Sequence, residues 1–444
     1  MPSRLRVGRG TAILLRGGCE HPRGEIRTLR VSSAGAEAPF SVIAGRAGEE
    51  WWAIVPIPAP AAPRSVSLEL VAELESGGRE AAPLGRIELE SGLPAEAPAD
   101  ADGRLVAICM ATYDPPIELF RRQIESIRAQ AWGSWVCVIS DDGSSPQRLA
   151  EMRRILAGDE RFRLAPGTRR LGFYANFERA IELAPAEAAY IALSDQDDSW
   201  YPDKLEALVR SLGAGGYLAY GDVRVVGDDG EVLSDTYWKY RRNNSTDLAT
   251  LLIANTITGS VALFRRELLD YLLPFPPRVG NAFHDHWLAV VALARGPLAY
   301  VDRPLQDYVQ HAGATFGFSA ANKGRGESES ALIDAGIRAR RVASRIARPQ
   351  ARQRYFDDYC RIAVNATALE LRCGEAMDAE KRGAVEEVLA YDRSPRAAAG
   401  LAGLSLRSLL GANRTAGVER SLLAALAWRH LGAREGRSRG AGLG

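Results

Sequence analysis

The sequence predicts an α/β protein: a central domain on a mostly parallel sheet, a β-rich segment before it and a helical region after it. Three observations lead there. From Arg104 onward, continuous apolar runs alternate with stretches of helical spacing, the pattern of βαβ units with helices on both faces of one sheet. Residues 1–100 instead hold short β-type runs separated by Gly/Pro-rich turns, as in a small β-sandwich. Beyond about residue 320 the chain turns to Ala, Arg, Leu and Glu in broken helical patterns. The expected domains are 1–100, 101–320 and 321–444, in keeping with roughly 100–200 residues per domain.

In the first segment the candidate strands are TAILL, EIRTLRVSS, FSVIAG, WWAIVPI, SVSLELVAEL and GRIELE, with a Gly-Gly turn region between the last two. Trp51 and Trp52 are neighbours on one strand, so they point to opposite faces and at least one is expected in a core. LPAEAPADADG (93–103), rich in Pro, Ala and acid, reads as a linker.

The central elements follow in order. LVAICMAT and WVCVIS read as buried strands, with a helix between them marked by Ile117, Phe120, Ile124 and Ile127. RLAEMRRILAG is a helix, RFRLA a short strand, GFYANFERAIELA a helix and AYIALS a strand. A helix (PDKLEALVRSL), a hairpin (GYLAYGDVRVVGDDGEVL), the apolar ITGSVALF, a helix (HWLAVVALA) and a strand (LAYVDRPLQDYVQH) complete it.

Composition excludes several classes. Hydrophobic residues make up 46% and charged residues 25%, ordinary for a globular chain. With 56 basic against 55 acidic residues the net charge is +1, so no global field recruits nucleic acid. The five cysteines form no CxxC pair and are expected as reduced structural thiols in the cytoplasm. The first 18 residues hold only a four-residue apolar run, and stretches such as Trp287–Ala294 stop short of about 18 residues, so neither export nor membrane spanning is expected. Residues 396–444 carry eight Arg against two Glu. Amphipathic helices there would permit peripheral contact with an anionic membrane; a solvated Arg-rich bundle is the alternative.

Three acidic clusters fall where strands end: Tyr113-Asp114, Asp141-Asp142-Gly143-Ser144 and Asp195-Gln196-Asp197-Asp198. Ligands of parallel sheets bind at that edge. Carboxylates massed there repel one another unless a cation or donor-rich ligand joins them, whereas a single such Asp, Asp114 for instance, often just caps the next helix. Asp195 and Asp197, at i and i+2, can offer hard oxygens to one Mn2+ or Mg2+ completed by phosphate oxygens. A bare DxD is common by chance; its weight here comes from standing between a buried strand and SWYPDKLE.

The run Leu171-Gly172-Phe173 … Asn176-Phe177-Glu178, followed by YIALSDQDDSWYPDKLE, resembles family 2 glycosyltransferases of the GT-A fold, in the branch of bacterial rhamnosyltransferases and related polysaccharide-building enzymes. ICMATYDPP, VISDDGSS, HDHW (284–287) and YVQHAGATFG (308–317) are similar to the family's other segments in the same order, and together they cover about residues 104–318. The resemblance implies that Thr112, Tyr113, Asp141 and Asp142 surround the donor's nucleobase and ribose. It implies that Asp195 contacts ribose or metal, that Asp197 holds the metal on the diphosphate, and that His311 is a further metal or diphosphate contact. Asp285 would be the general base. Two positions depart from the pattern: Arg170 where Asn usually precedes Leu-Gly, and Asp114 where Asn is common after Tyr.

The resulting expectation is an inverting, divalent-metal-dependent transferase. It moves a sugar from a nucleotide-diphosphate donor to a glycan or lipid-linked acceptor in bacterial polysaccharide biosynthesis. One base and one metal suit a single displacement, and no separate nucleophile for retention is visible. A carbohydrate-binding protein with an inactive transferase fold is the alternative. A nucleotidyltransferase is a weaker one, because GSS at 143–145 is too short for a phosphate loop. His284 and His286 do not suggest zinc, since helical residues two apart point about 200° apart. Asp285 also reads as a helix-start residue, His311 as a strand-end polar group, Trp200 as packing, and Thr258-Gly259-Ser260 as either an acceptor-side strand or a Gly bulge.

Overall fold

Along Arg64–Leu74 buried positions alternate with more open ones, and Val66, Leu68 and Leu70 turn to one side, the mark of a strand with a single buried face. In the computed structural model, which describes residues 2–20, 24–33, 43–47, 50–92, 103–213, 215–238, 243–311, 349–409, 415 and 417–438, this is the sixth strand among the described residues. The strands before the linker are β1 (Arg4–Arg6), β2 (Gly10–Gly18), β3 (Ile26–Ser33), β4 (Ile43–Ala47), β5 (Glu50–Pro58), β6 (Arg64–Leu74) and β7 (Arg79–Glu90). They form two sheets, β1-β7-β6-β3 and β2-β5-β4. Ile13, Leu15, Trp51 and Val55 of one meet Val66, Leu68 and Ile87 of the other in a shared core. Trp51 and Trp52 do point to opposite faces, and both are buried: Trp51 between the sheets, Trp52 outside them.

The central part holds β8 (Val106–Thr112), α1 (Ile117–Arg128), β9 (Trp135–Asp141), α2 (Pro146–Leu156), β10 (Phe162–Pro166), α3 (Phe173–Glu182), β11 (Tyr190–Ser194) and β12 (Ser199–Trp200). Then come α4 (Lys204–Ser211), β13 (Leu218–Gly227), β14 (Val232–Ser234), α5 (Leu248–Ile253), β15 (Ala262–Arg265), α6 (Leu269–Leu272), α7 (His284–Arg295) and β16 (Leu298–Gln310). The sheet runs β10-β9-β8-β11-β15-β13-β16-β12, with β14 paired to β13 as a hairpin. β10, β9, β8 and β11 are parallel neighbours, and so are β13 and β16; β15 enters antiparallel between β11 and β13.

The apolar runs explain the layering. In β8, Val106, Ile108 and Met110 face a layer built from Phe120, Ile124 and Ile127 of α1, Met152 of α2 and Leu205 of α4. Ala107 and Cys109 face the opposite layer, with Phe177 and Ile181 of α3, Leu251 of α5 and Trp287 of α7. A strand covered on both sides has to be apolar throughout, which is why its sequence does not alternate. Burying each α1 side chain contributes about 2 kcal/mol, and Ile124→Asp would break the layer. All five cysteines are unpaired.

The second layer continues into the C-terminal helices. A helix Cys360–Cys373 brings Ile362, Ala366 and Leu369 into it, and π-helical turns over Tyr355–Tyr359 bury Tyr355, Phe356 and Tyr359 together. Trp52 packs edge-on to Tyr355 and Phe356, with ring centroids 5.3 and 5.2 Å away, and lies 6.0 Å from Trp428 of the helix Val418–Ser438. Its indole N–H donates to the Tyr355 hydroxyl at 3.2 Å. Arg372, buried, donates to the carbonyls of Gly10 (2.6 Å), Leu272 (3.0 Å) and Pro274 (2.7 Å), tying all three parts of the chain. Among the described residues no helix is long and apolar enough to cross a membrane. Linker residues 93–102, the boundary at 320/321 and residues 312–317 of the YVQHAGATFG motif lie outside the described residues.

Candidate active site at the ends of the parallel strands

Because β9, β8 and β11 run parallel side by side, their carboxyl ends and the loops after them meet at one edge. In register, Thr112 stands opposite Asp141, and its hydroxyl donates to Asp141 Oδ1 at 3.2 Å. The backbone N–H of Asp142 donates to Thr112 O at 2.8 Å. Asp114 holds a positive φ of 37° and does not cap α1. Its N–H donates to Ser144 Oγ (2.8 Å), and its carboxylate accepts from Ser145 N (2.9 Å) and Oγ (3.0 Å), so it fastens the first loop to the second. Ser145 in turn caps α2, with Pro146 in the first helical turn.

Asp141 accepts from the N–H groups of Gly143 (3.1 Å) and Ser144 (2.9 Å) and from the Ser144 hydroxyl. Asp142 accepts from Leu171 N (2.5 Å) and Gly172 N (2.8 Å). Both carboxylates are buried and engaged within the loops they shape. What faces outward is Tyr113, 37% exposed, with the Arg170 guanidinium 3.7 Å from its ring centroid. Tyr113 N donates to Gln196 Oε1 at 2.8 Å, which joins the first acidic loop to the third.

The third loop gathers the charge. Asp197 Oδ2 lies 3.0 Å from His311 Nε2, just beyond the end of β16. Burial raises the Asp197 carboxyl, and the His311 hydrogen bond opposes that shift. Asp195 is pushed up to about 7 by burial first, then by the charges of Asp197 and Asp285; a Ser260 hydrogen bond works against this. Asp198 is wholly buried and raised well above the usual carboxyl range by burial; it accepts from Gln306 Nε2 (2.6 Å) and Val309 N (3.2 Å). Trp200 is packed inside.

Asp285 sits in the first turn of α7, and its Oδ2 accepts from Gly259 N at 3.3 Å. Burial pushes it up to about 6. Gly259 belongs to a short 3-10 turn, Gly259–Val261, and glycine is required there by close approach: a Cβ would stand 2.8 Å from His284 Nε2 and 3.0 Å from Asp285 Cβ. The flanking histidines diverge. His284 stacks on Phe177 at 3.6 Å between centroids, and burial pushes it down to about 3. His286 Nε2 lies 2.7 Å from Leu251 O, and its Nδ1 accepts from Arg361 at 3.1 Å. The two imidazoles thus meet different neighbours, as helical residues two apart must.

Among the described residues no group of three or more His, Cys, Asp or Glu side chains forms a metal cage by itself. Asp197 and His311 supply one carboxylate and one imidazole in contact. That partial donor set would suit a divalent cation that takes its other oxygens from phosphate and water.

Three side chains that sequence reasoning did not single out join this site: Lys204, Gln306 and Gln123. Lys204 is fully buried, and burial drives its amine well below the usual lysine range. One signal was present: it is one of four lysines in a chain whose basic residues are otherwise arginine, and it stands six positions after Asp198, the end of the acidic run.

Residues 107–273 match the model of glycosyl transferase family 2. An uncharacterized protein of Sinorhizobium fredii is 32% identical over 114 residues, 26% of this chain and 12% of that protein. An uncharacterized glycosyltransferase of Methanocaldococcus jannaschii is 31% identical over 108 residues, 24% of this chain and 37% of that protein. The chain thus spans well under half the length of these curated relatives. Among solved structures, a mannosyltransferase from Pyrobaculum calidifontis in complex with GDP-Man and Mn2+ is similar over 78% of this chain and 89% of its own, at 18% identity and a TM-score of 0.39. TarS 1-349 of S. aureus in complex with UDP-GlcNAc is similar over 76% and 92%, at 11% identity and a TM-score of 0.45. The three acidic loops and Gly259 all lie within the stretch, residues 107 to 273, that matches the glycosyl transferase family 2 model.

Proposed function

We propose that the chain is an inverting, divalent-metal-dependent glycosyltransferase that takes a sugar from a nucleoside-diphosphate donor. The observation that carries this reading is the meeting of Asp197 with His311 at 3.0 Å, beside an Asp195 whose carboxyl feels both Asp197 and Asp285. The proposed metal-side and base-side carboxylates are near enough for the charge of each to act on Asp195.

On this reading Thr112, Tyr113, Asp141 and Asp142 form the nucleobase and ribose end, Tyr113 by its exposed ring and the two aspartates by holding the loops. Asp195 contacts ribose or metal. Asp197 and His311 hold Mn2+ or Mg2+, which supplies charge neutralisation on the departing diphosphate when bound. Asp285 accepts the proton of the acceptor hydroxyl as its oxygen forms the bond to the anomeric carbon. The bond from that carbon to the diphosphate oxygen breaks, and its electron pair leaves with the nucleoside diphosphate. Attack from the face opposite the leaving group inverts the centre.

We assign the acceptor to a glycan or lipid-linked glycan of bacterial polysaccharide synthesis, and the work to the cytoplasm. Leu422, Ala425 and Leu426 of the last helix are buried in the core, so membrane contact would be electrostatic, through its arginines. Domains of 1–100, 101–320 and 321–444 fit this division of labour.

The test is product analysis with Mn2+ across nucleotide sugars. Release of nucleoside diphosphate supports the reading, pyrophosphate would assign a nucleotidyltransferase, and no release with retained glycan binding would assign an inactive binding protein. Asp285→Asn is expected to bind donor normally while turnover falls about 10²–10⁴-fold. Activity at about a tenth of wild type or more removes Asp285 as the base.

A further inference from the structure

Lys204 opens α4 with its side chain turned inward and no solvent exposure. Its Nζ donates to Ser260 O at 2.5 Å and to Gln306 Oε1 at 2.6 Å, and lies 3.5 Å from the Trp200 ring centroid. The Gln306 amide passes the connection on, donating to Asp198 Oδ2 at 2.6 Å and to Ser260 Oγ at 2.8 Å. Asp198 Oδ1 accepts from Val309 N at 3.2 Å. From the other side, the Gln123 amide of α1 donates to Asp198 O (2.7 Å) and accepts from Ser194 Oγ (2.8 Å) and Trp200 Nε1 (3.0 Å).

One amine therefore joins three segments distant in sequence: loop 195–198, turn 258–260 and strand β16. Each carries or holds one side chain of the proposed site. The loop bears Asp197, His311 follows β16 directly, and the turn gives Asp285 its hydrogen bond from Gly259 N. A methionine would fill a similar volume without placing a polar head among these acceptors. What the amine adds is direction: two donors aimed at fixed acceptors set the distance between the segments.

We propose that Lys204 is a positioning residue that sets the spacing between the Asp197–His311 pair and Asp285. The inference rests on the metal-dependent transferase reading given above. It assigns no contact between Lys204 and substrate; the amine acts through Gln306, Asp198 and Ser260. Side chains that orient metal ligands in this indirect way typically change metal affinity about 10–100-fold when removed.

The experiment is a Mn2+ titration followed by electron paramagnetic resonance on the full chain, with GDP and separately with UDP, alongside thermal melts. Wild type is compared with Lys204→Met. The expected result is a cooperative melt with Mn2+ affinity weakened about 10–100-fold. A variant that loses melting temperature but whose folded fraction binds Mn2+ as wild type does overturns the proposal, because a purely structural lysine would behave so. If Lys204→Met fails to fold, Gln306→Met keeps the Lys204 bond to Ser260 O while removing the Gln306 bonds to Lys204, Asp198 and Ser260 Oγ, and the same weakening is expected. Unchanged Mn2+ affinity in that variant overturns the proposal as well. Wild-type protein that binds no Mn2+ with either nucleotide sinks the transferase reading together with this one, whereas normal wild-type binding with unaltered variants sinks the role of Lys204 alone.

Discussion

Gly259→Ala tests the acceptor side of the site with one methyl group. The added carbon would stand 2.8 Å from His284 Nε2 and 3.0 Å from Asp285 Cβ. Such contacts relax only near 3.5–4.0 Å, so each neighbour must retreat by roughly 0.5–1 Å. His284 has little room, stacked 3.6 Å from Phe177 and buried beside it. The shift falls on Asp285 and opens its 3.3 Å bond to Gly259 N. Overpacking of this kind costs about 1–3 kcal/mol of stability. A reacting group displaced by about 1 Å typically loses about 100-fold in rate. We expect kcat for nucleoside diphosphate release to fall about 100-fold, with GDP and UDP binding in the presence of Mn2+ unchanged by calorimetry, since Asp197 and His311 are untouched. A kcat within about threefold of wild type would refute the argument that glycine is needed there to seat Asp285.

Four further outcomes follow from the structure. Asp197→Ala is expected to abolish the Mn2+-dependent part of nucleotide binding in calorimetry; unchanged affinity removes it from the metal site. With Asp285 titrating at about 6, kcat/KM should rise with pH through that value, about tenfold per unit below it. The same carboxyl, raised above its ordinary 3.8, contributes stability that is fully present below about pH 4 and lost as pH rises through about 6, so wild type should lose melting temperature over that window relative to Asp285→Asn. Trp52→Ala empties a site bounded by Tyr355, Phe356 and Trp428 and should cost about 3–5 kcal/mol in urea unfolding. A loss under about 1 kcal/mol would mean that this contact holds little together.

Much of the fold was legible because its signals are local. VAICMAT and WVCVIS are apolar throughout since both faces of β8 and β9 are covered, and GYLAYGDVRVVGDDGEVL carries its own turn. The acidic runs stand at strand ends, so their shared edge follows from the parallel pairing alone. Other features were not local. The antiparallel entry of β15 depends on which neighbours it finds, and nothing in ITGSVALF specifies direction. Ser199-Trp200 pairs with β16 as a two-residue strand, too short to carry a period. Lys204 reads as an ordinary helix-surface residue until Gln306, about a hundred positions later, is brought against it. The engagement of Asp141 and Asp142 with backbone N–H groups at 143–144 and 171–172 likewise needs a folded loop before it can be seen.

The bonds that Arg372 makes to Gly10, Leu272 and Pro274 bear on how this molecule can be cut. A fragment trimmed to residues 107–273 would lack α7, β16 and every partner beyond them, baring Leu251, Phe177 and much of one sheet face to water. Removing the first ninety residues alone would uncover the aromatic cluster around Tyr355 and take the carbonyls of Val7 and Gly10 from the guanidinium. Engineering this protein for soluble expression or crystallisation should therefore begin from trimmed surface loops rather than from an isolated core, because its flanks are walls of the same building.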